Sequence, residues 1–336
     1  MGVVCRRPNE LVRDQLPDPT LQDGQVIVRI RRIGVCGTDI HAYRGRQPFF
    51  TYPRILGHEL AGEVVEVEEN PYGIGSGDLV TLLPYFSCGT CIACKCGKPN
   101  CCTAVSVFGV HEDGGMCEYV SVPVEYVVKA DGLTLDELAT VECMSIGAHA
   151  VRRANLVPGE RVLVIGGGPI GLGVMKFAKL AGADVTAMDI NHQRLAFCDE
   201  WAAPHHAVVA SEQAIEDIRE ITDFELPTAV FDATGNAQSM MSALGYLAHG
   251  GRLIYVGLVQ ADIAFSDPEF HKREATLLSS RNATIEDFQH VIQALKCRHL
   301  DTSAFITHRA DLQSVVDTFE DWTRPESNVV KAMIEA

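Results

Sequence analysis

The sequence predicts a two-part α/β protein: a doubly wound, six-stranded parallel sheet flanked by helices, joined to a second, mostly β part. Three observations predict it. The chain changes character at Arg161, from alternating Val-rich runs with Gly and Pro to short apolar strands separated by helical stretches. The run RVLVIGGGPIGLG passes from the first such strand into a helix through a cluster of glycines. At 336 residues the chain also has room for about two domains. The expected division gives 1–145 and 284–336 to the mostly β part, and 146–283 to the sheet and its helices.

Each element follows from its own pattern. QVIVRIRRIGVCG (25–37) and LAGEVVEVEEN (60–70) alternate as half-buried strands do, and GIGSGDLV is a turn leading into a strand. The stretch from Met1 to about Ile146 therefore reads as mostly β with long loops. RVLVIG is a short buried strand, GLGVMKFAKLAGA a helix and DVTAMD a second strand. Further strand-like runs follow at 207–209, 228–233, 251–258 and 275–280. Strands alternating with helices give a parallel sheet with crossovers on both faces. Six such strands make a Rossmann-type dinucleotide fold. ATIEDFQHVIQALKCRHL is an amphipathic helix that Thr284 caps, with Asp287 at the capping-box position. NVVKAMIEA closes the chain as a short strand that packs back onto the first part.

Composition narrows the function. Lys+Arg 28 against Asp+Glu 44 gives a net charge of −16. That balance argues against non-specific nucleic-acid binding and against anionic membranes, which need positive surface. The longest apolar run, Val162 to Met175, is broken by Gly and Pro and is too short to span a bilayer. The opening MGVVCRRPNEL puts charge where a signal peptide is apolar. The expectation is a cytoplasmic protein with a small-molecule substrate.

Cysteine is the exception to this ordinary composition. There are twelve, with six between Cys88 and Cys102. In a large chain without a signal peptide, clustered cysteines read as a metal site. Cys88, Cys91, Cys94 and Cys102 have the spacing C-x2-C-x2-C-x7-C, which lets one loop wrap a tetrahedral Zn²⁺. Four thiolates leave no open position, so the site is expected to be structural. Cys101 competes with Cys102 for the fourth place, and Cys96 also lies in the loop. An iron–sulfur cluster and a set of reduced thiols are the alternatives. Three scattered pieces suggest a second metal: VCGTDIH (Cys36, Thr38, Asp39, His41), GHELAGE (His58, Glu59) and VECMSIGAH (Glu142).

Gly166, Gly168 and Gly171 form G-x-G-x-x-G, with Pro169 and Ile170 between them, after a strand and opening a helix. In that context the glycines let the backbone approach a pyrophosphate at a positive helix end. Asp189 ends the next strand, where a carboxylate accepts from both ribose hydroxyls and repels a 2′-phosphate. No arginine adjoins it, Arg194 being the nearest, so the expected cofactor is NAD rather than NADP.

A cysteine loop, a GHE motif and a dinucleotide fold in this order resemble the zinc-dependent medium-chain dehydrogenase/reductase family of alcohol, sorbitol and threonine dehydrogenases. The resemblance covers essentially the whole chain. It implies a GroES-like catalytic domain, two zinc ions per chain, NAD, and a homodimer or homotetramer. Carried over residue by residue, it makes Cys36 and His58 ligands of a catalytic zinc, with Glu59 beside the metal. Glu142 matches the acidic ligand of the polyol and threonine branches, with Cys143 as the alternative. Thr38 matches the hydroxyl that takes the substrate proton, and His41 its relay to solvent. Thr234 and Gly235 in DATG, and Val256, Gly257 and Leu258, match later cofactor-contacting turns.

The chemistry suits these residue types, because a divalent cation lowers the pKa of an alcohol enough for hydride to leave its carbon. RGRQPFFTYPRILGHE, SVFGVHEDGGMCEYVSVP and FSDPEFHKREATLLSSRNAT resemble sugar-acid dehydrogenases. The implied substrate is a hexonate oxidised at its C5 hydroxyl. A neutral polyol or an L-threonine-like substrate is the alternative, and a catalytically silent zinc- and NAD-binding protein is the non-enzyme reading. A carboxylate substrate needs a cation, for which Arg44, Arg46, Lys272, Arg273 and Arg281 are candidates. Phe49, Phe50 and His111 are candidate cleft residues.

Overall fold

The alternation in the first part becomes long antiparallel strands in a computed structural model, which describes residues 1–336. The chain divides into two units, Met1–Glu142 with Ala283–Ala336, and Cys143–Asn282. In the first unit the strands are β1 (Gly2–Arg7), β2 (Glu10–Asp14), β3 (Gln25–Val35), β4 (Arg54–Ile55) and β5 (Glu59–Val67). They continue with β6 (Leu79–Leu82), β7 (Tyr85–Phe86), β8 (Ser106–Val107), β9 (Tyr119–Pro123) and β10 (Val127–Lys129). Helices α1 (Gly37–Tyr43) and α2 (Ile92–Lys95) accompany them, and α3 (Leu135–Ala154) starts in this unit and ends in the second.

The second unit holds β11 (Arg161–Ile165), α4 (Pro169–Leu180), β12 (Asp184–Asp189), α5 (His192–Phe197) and β13 (His206–Val209). It continues with α6 (Ala214–Ile221), β14 (Ala229–Asp232), α7 (Ala237–Ser242), β15 (Arg252–Tyr255), α8 (Asp267–Lys272) and β16 (Thr276–Ser279). The tail returns to the first unit with α9 (Ile285–Lys296), β17 (Ile306–Asp311), α10 (Val315–Trp322) and β18 (Lys331–Glu335).

In the first unit the main sheet runs β10-β6-β5-β3-β18-β17, with β9 also pairing β3. Its inward residues, among them Val26, Val28, Ile30, Ile33, Leu60 and Val64, form a buried core with Phe319 and Trp322 from α10. The β3–β5 register sets Gly34 opposite Glu59. A Cβ on Gly34 would lie 2.2 Å from Glu59 Oε2, so glycine here makes room for a buried carboxylate.

The second unit's sheet has the order β13-β12-β11-β14-β15-β16, every pair parallel. This is the six-strand, doubly wound order that reverses beside its first strand, β11, and ligands bind such sheets at the carboxyl ends around that reversal. The carboxyl end of β11 carries the glycine cluster.

Three features differ from the sequence reading. Residues 135–154 form a 20-residue helix inside a stretch read as strands and loops. Its start is a capping box, with Thr134 N–H donating to Glu137 Oε2 at 2.8 Å and Glu137 N–H to Thr134 Oγ1 at 3.2 Å. The T-L-D-E run at 134–137 is the sequence signal of this helix start. Strand β17 was not expected, and it pairs parallel to β18. Residues Cys198–Ala202 form a π-helical turn after α5. Thr284 and Asp287 cap α9 as expected, with Thr284 N–H donating to Asp287 Oδ2 at 2.8 Å.

Candidate metal and dinucleotide sites

The cysteine loop assembles as its spacing predicts. One ligand atom from each of Cys88, Cys91, Cys94 and Cys102 lies within 4.8 Å of the others. Cys96 and Cys101 are exposed and lie outside this set, so the fourth place falls to Cys102. Backbone amides point at the sulfurs: Cys91 N–H donates to Cys88 Sγ at 3.4 Å, and Cys88 N–H and Ala104 N–H to Cys102 Sγ at 3.3 Å. Donated hydrogen bonds favour the thiolate. The Thr90 hydroxyl and amide, with Cys91 N–H, draw Cys88 down to about 7, and the Cys94 and Thr103 amides draw Cys91 down to about 5, while burial raises Cys94 to about 11. Four thiols with no open position suit a structural Zn²⁺.

The second cluster is built where α1 meets the start of β5. Cys36 is the N-cap of α1, and Asp39, three residues on, reaches back so that Cys36 N–H donates to its Oδ2 at 2.9 Å. The other oxygen, Oδ1, accepts from Gly57 N–H at 3.2 Å, tying α1 to the turn before His58. One ligand atom each from Cys36, His58 and Glu59 lies within 4.8 Å of the others. Asp39, Glu59 and Glu142 are buried along with His58.

This cluster is too negative to stand alone. His58 Nδ1 is buried without a hydrogen-bond partner, its nearest carboxylate oxygen being Asp39 Oδ1 at 3.7 Å. Burial works against a charged ring, yet Asp39, Cys36 and Glu142 together hold His58 well above the usual histidine range. Burial, with Glu59's charge added, pushes Glu142 up to about 7. Burial likewise raises Asp39. A thiol, an imidazole and a carboxylate gathered this closely make the donor set of a cation site with borderline-soft ligands.

The two glutamates have different partners. Glu59 takes both oxygens to Lys331 Nζ, each at 2.7 Å, and Lys331 also donates to Val35 O at 3.2 Å. Glu142 receives the Tyr85 hydroxyl on Oε1. Glu142 lies outside the 4.8 Å set, next to it electrostatically through His58 and Glu59. Thr38 and His41 fall on α1 after Cys36, His41 exposed. Asp39, Tyr85 and Lys331 are site residues to which the sequence assigned no role. Asp39 stood inside VCGTDIH, while Tyr85 and Lys331 carried no motif signal.

Of the candidate cations, Lys272 and Arg273 pair with Glu269, and Arg44 donates to Thr323 while covering the Tyr43 ring. Arg46 is exposed. Phe49 stacks on His111 with ring centroids 6.1 Å apart, and Phe50 packs on Tyr52.

In the second unit the glycine cluster forms a cradle. Gly166 has φ +102, a conformation other residues rarely adopt. A Cβ on Gly171 would lie 1.8 Å from Gly166 O, so only glycine lets α4 start this close to the loop. Gly168 is the N-cap of α4 and Pro169 its first residue, followed by Ile170. Asp189 ends β12, its Oδ2 accepting from Gly167 N–H at 2.6 Å and its Oδ1 from Asn191 N–H at 2.8 Å. The Arg194 guanidinium lies against the same loop, 3.1 Å from where a Gly168 Cβ would be. The turn with Thr234 and Gly235 meets the turn with Val256, Gly257 and Leu258, since a Cβ on Gly257 would lie 2.4 Å from Gly235 N. These predicted residues gather at the carboxyl ends of β11, β12, β14 and β15. No helix is long and apolar enough to cross a membrane.

Comparison with known proteins agrees with both units. Residues 22–132 match the alcohol dehydrogenase GroES-like domain, and residues 169–296 match the zinc-binding dehydrogenase domain. The chain is 41% identical to the L-galactonate-5-dehydrogenase of Escherichia coli K12, over 99% of this chain and 98% of that one. It is 29% identical to the sorbitol dehydrogenase of Bacillus subtilis, over 99% and 96%. The crystal structure of the alcohol dehydrogenase RspB from E. coli CFT073, complexed with NADH, superposes with a TM-score of 0.92 at 29% identity, covering 100% of this chain and 98% of that one. Full-length similarity at this level places the chain within a family: it belongs to the zinc-binding alcohol dehydrogenases, enzymes of the medium-chain dehydrogenase/reductase type.

Proposed function

We propose that the protein oxidises a secondary alcohol of a sugar acid, a hexonate at its C5 hydroxyl, and passes the hydride to NAD. The observation that carries the reaction class is the close gathering of the half-buried Cys36 with the buried His58 and Glu59. Cys36, His58 and Glu142 would hold a catalytic zinc, with Glu59 beside it. Cys88, Cys91, Cys94 and Cys102 would hold a structural zinc. When bound, the catalytic ion supplies Lewis acidity that lowers the pKa of the substrate hydroxyl.

The chain's own residues do the rest. Asp39 fixes the α1 N-terminus against the His58 turn, so Cys36 and His58 are held together before any ligand arrives. Lys331 holds Glu59 through both its oxygens. Thr38 takes the hydroxyl proton, and the exposed His41 passes it to solvent. NAD, when bound, would accept the hydride that the alcohol carbon gives up, for a net yield of ketone, NADH and one proton. The cradle of Gly166, Gly168, Pro169, Ile170 and Gly171 receives the pyrophosphate at the start of α4. Asp189 receives the adenosine ribose hydroxyls and disfavours a 2′-phosphate, and Arg194, Thr234, Gly235, Val256, Gly257 and Leu258 complete the cofactor surface. A soluble homodimer or homotetramer without nucleic-acid or membrane partners completes the reading.

The hexonate assignment rests on the 41% identity to an L-galactonate-5-dehydrogenase. A neutral polyol is the second reading. It is favoured by the engagement of Lys272, Arg273 and Arg44 with protein partners, which occupies three of the cations considered for a substrate carboxylate. Hexonates, polyols and amino-acid alcohols offered with NAD, followed by nicotinamide absorbance, separate the two. Turnover of hexonates supports the sugar-acid reading, and turnover of polyols alone overturns it.

A further inference from the structure

The strand that leads into the cysteine loop also reaches the second cluster. Tyr85 lies on β7, three residues before Cys88, and β7 is held by its pairing with β8, Tyr85 opposite Val107. Its ring is buried, and its hydroxyl donates to Glu142 Oε1. Glu142 is itself buried. Its carboxylate therefore has one oxygen engaged by a phenol that comes from a different part of the chain, 57 residues away. A tyrosine hydroxyl is neutral at pH 7 and a carboxylate only accepts, so Tyr85 is the donor.

A carboxylate in a closed cavity must be oriented to serve a cation, and hydrogen bonds to its outer oxygen do this in metal sites. We propose that Tyr85 is a positioning residue for the catalytic cation, its hydroxyl holding one oxygen of Glu142 so that the other is offered to the Cys36–His58 cluster. The proposal rests on Glu142 serving that cation, as argued above. It also assigns a role to the cysteine loop. By fixing the chain just after β7, a closed four-thiolate site sets the position of Tyr85 and so reaches the chemistry without touching substrate. The competing account makes Tyr85 a packing residue whose hydroxyl merely satisfies a buried acceptor.

The test uses the full-length zinc-loaded enzyme and Tyr85→Phe, which keeps the ring and removes the hydroxyl. Zinc release to a chelator is measured in both, and cobalt(II) is exchanged into the faster-released site for its visible spectrum. Wild type should hold two zinc ions. In Tyr85→Phe one of them should bind about 10- to 100-fold more weakly, with the other unchanged. The cobalt spectrum should shift, which loss of packing alone would not cause. Tyr85→His, which can restore a ring-borne donor, should recover part of the affinity and gives a second reading if Tyr85→Phe folds poorly. Tyr126→Phe, which removes a hydroxyl that meets Ser87 in the same loop, should leave the affinity unchanged. In a Glu142→Gln background, Tyr85→Phe should add nothing, because the hydroxyl acts through that carboxylate. Unchanged affinity and spectrum in Tyr85→Phe, or a full effect in the Glu142→Gln background, overturns the inference alone. A single zinc in wild type overturns the metal assignment, and this inference with it.

Discussion

Replacing Lys331 by methionine probes the most deeply buried ion pair of the first unit. Lys331 and Glu59 have side chains 1% and 0% exposed. Two charge-assisted bonds of 2.7 Å join them, one from Nζ to each carboxylate oxygen. Methionine keeps most of the stem's volume and removes the charge, leaving Glu59 buried without its counter-ion. Breaking a buried pair from one side costs about 3–5 kcal/mol, because the remaining charge is left uncompensated. For a unit of this size each kcal/mol lowers Tm by roughly 2–4 °C, so the expected loss is about 6–20 °C. Lys331→Met with Glu59→Gln removes both charges and should recover most of that loss. Calorimetry of zinc-loaded wild type, single and double variants measures all three. A single variant within about 2 °C of wild type, or a double variant as damaged as the single, would refute the reasoning.

Four further outcomes follow from the same geometry. Cys88→Ser should leave one zinc per chain by metal analysis and increase proteolytic nicking within 88–102, because the loop has lost one of its four clustered thiols. Cys36→Ser should abolish turnover while circular dichroism stays native, since Cys36 caps a helix through its backbone as well as facing the cluster. Asp189→Ala should raise KM for NAD about 10- to 100-fold and narrow the preference over NADP, the loss of charge-assisted bonds to the ribose. Asp136 pairs with Arg309 and Arg32, which outweigh the effect of its partial burial and hold its carboxyl below the usual range. A lowered folded-state pKa contributes stability above the unfolded value of about 4 and loses it as pH falls through the folded one. Asp136→Asn should therefore be less stable than wild type at neutral pH, with the gap in urea midpoints closing below about pH 4.

What the sequence disclosed was what it encoded locally. The thiol loop was legible because four thiols fall within fifteen residues, so spacing alone brings them together. The glycine cradle was legible because a strand, three glycines and a helix are contiguous, and the six parallel strands followed from alternation. The second cluster was legible only in pieces, since Cys36 and His58 come from separate motifs that needed a family resemblance to be joined. The pairings that tune it were not legible. Glu59 meets Lys331 across 272 residues, and Glu142 meets Tyr85 across 57, with no periodic or motif signal at either partner. Helix α3 was missed for a different reason: its apolar residues are spread around most of its surface, as in a buried helix, so no amphipathic stripe marked it.

The electrostatics of the second cluster argue for a cation independently of any motif. Three carboxylates, Asp39, Glu59 and Glu142, are buried in one neighbourhood with the Cys36 thiol, and the positive groups facing them are Lys331 and His58. Lys331 is committed to Glu59. Asp39 is offset by backbone amides from Cys36 and Gly57, which supply dipoles but no charge. That leaves Glu142 and the thiol to be balanced by one imidazole whose Nδ1 has no partner. Unpaired buried charge is expensive, and groups respond by taking or keeping protons. The shifts run in that direction at every member where one is resolved: Asp39, Glu142 and Tyr85 upward with burial, His58 upward against it. A purely structural core would not retain so much acidic surface, because apolar side chains of similar volume would serve it at no such cost. A divalent ion beside Cys36 and His58 would meet the acidic charge and the thiolate at once, which is why this cluster is better explained by an ion it would hold than by the fold it supports.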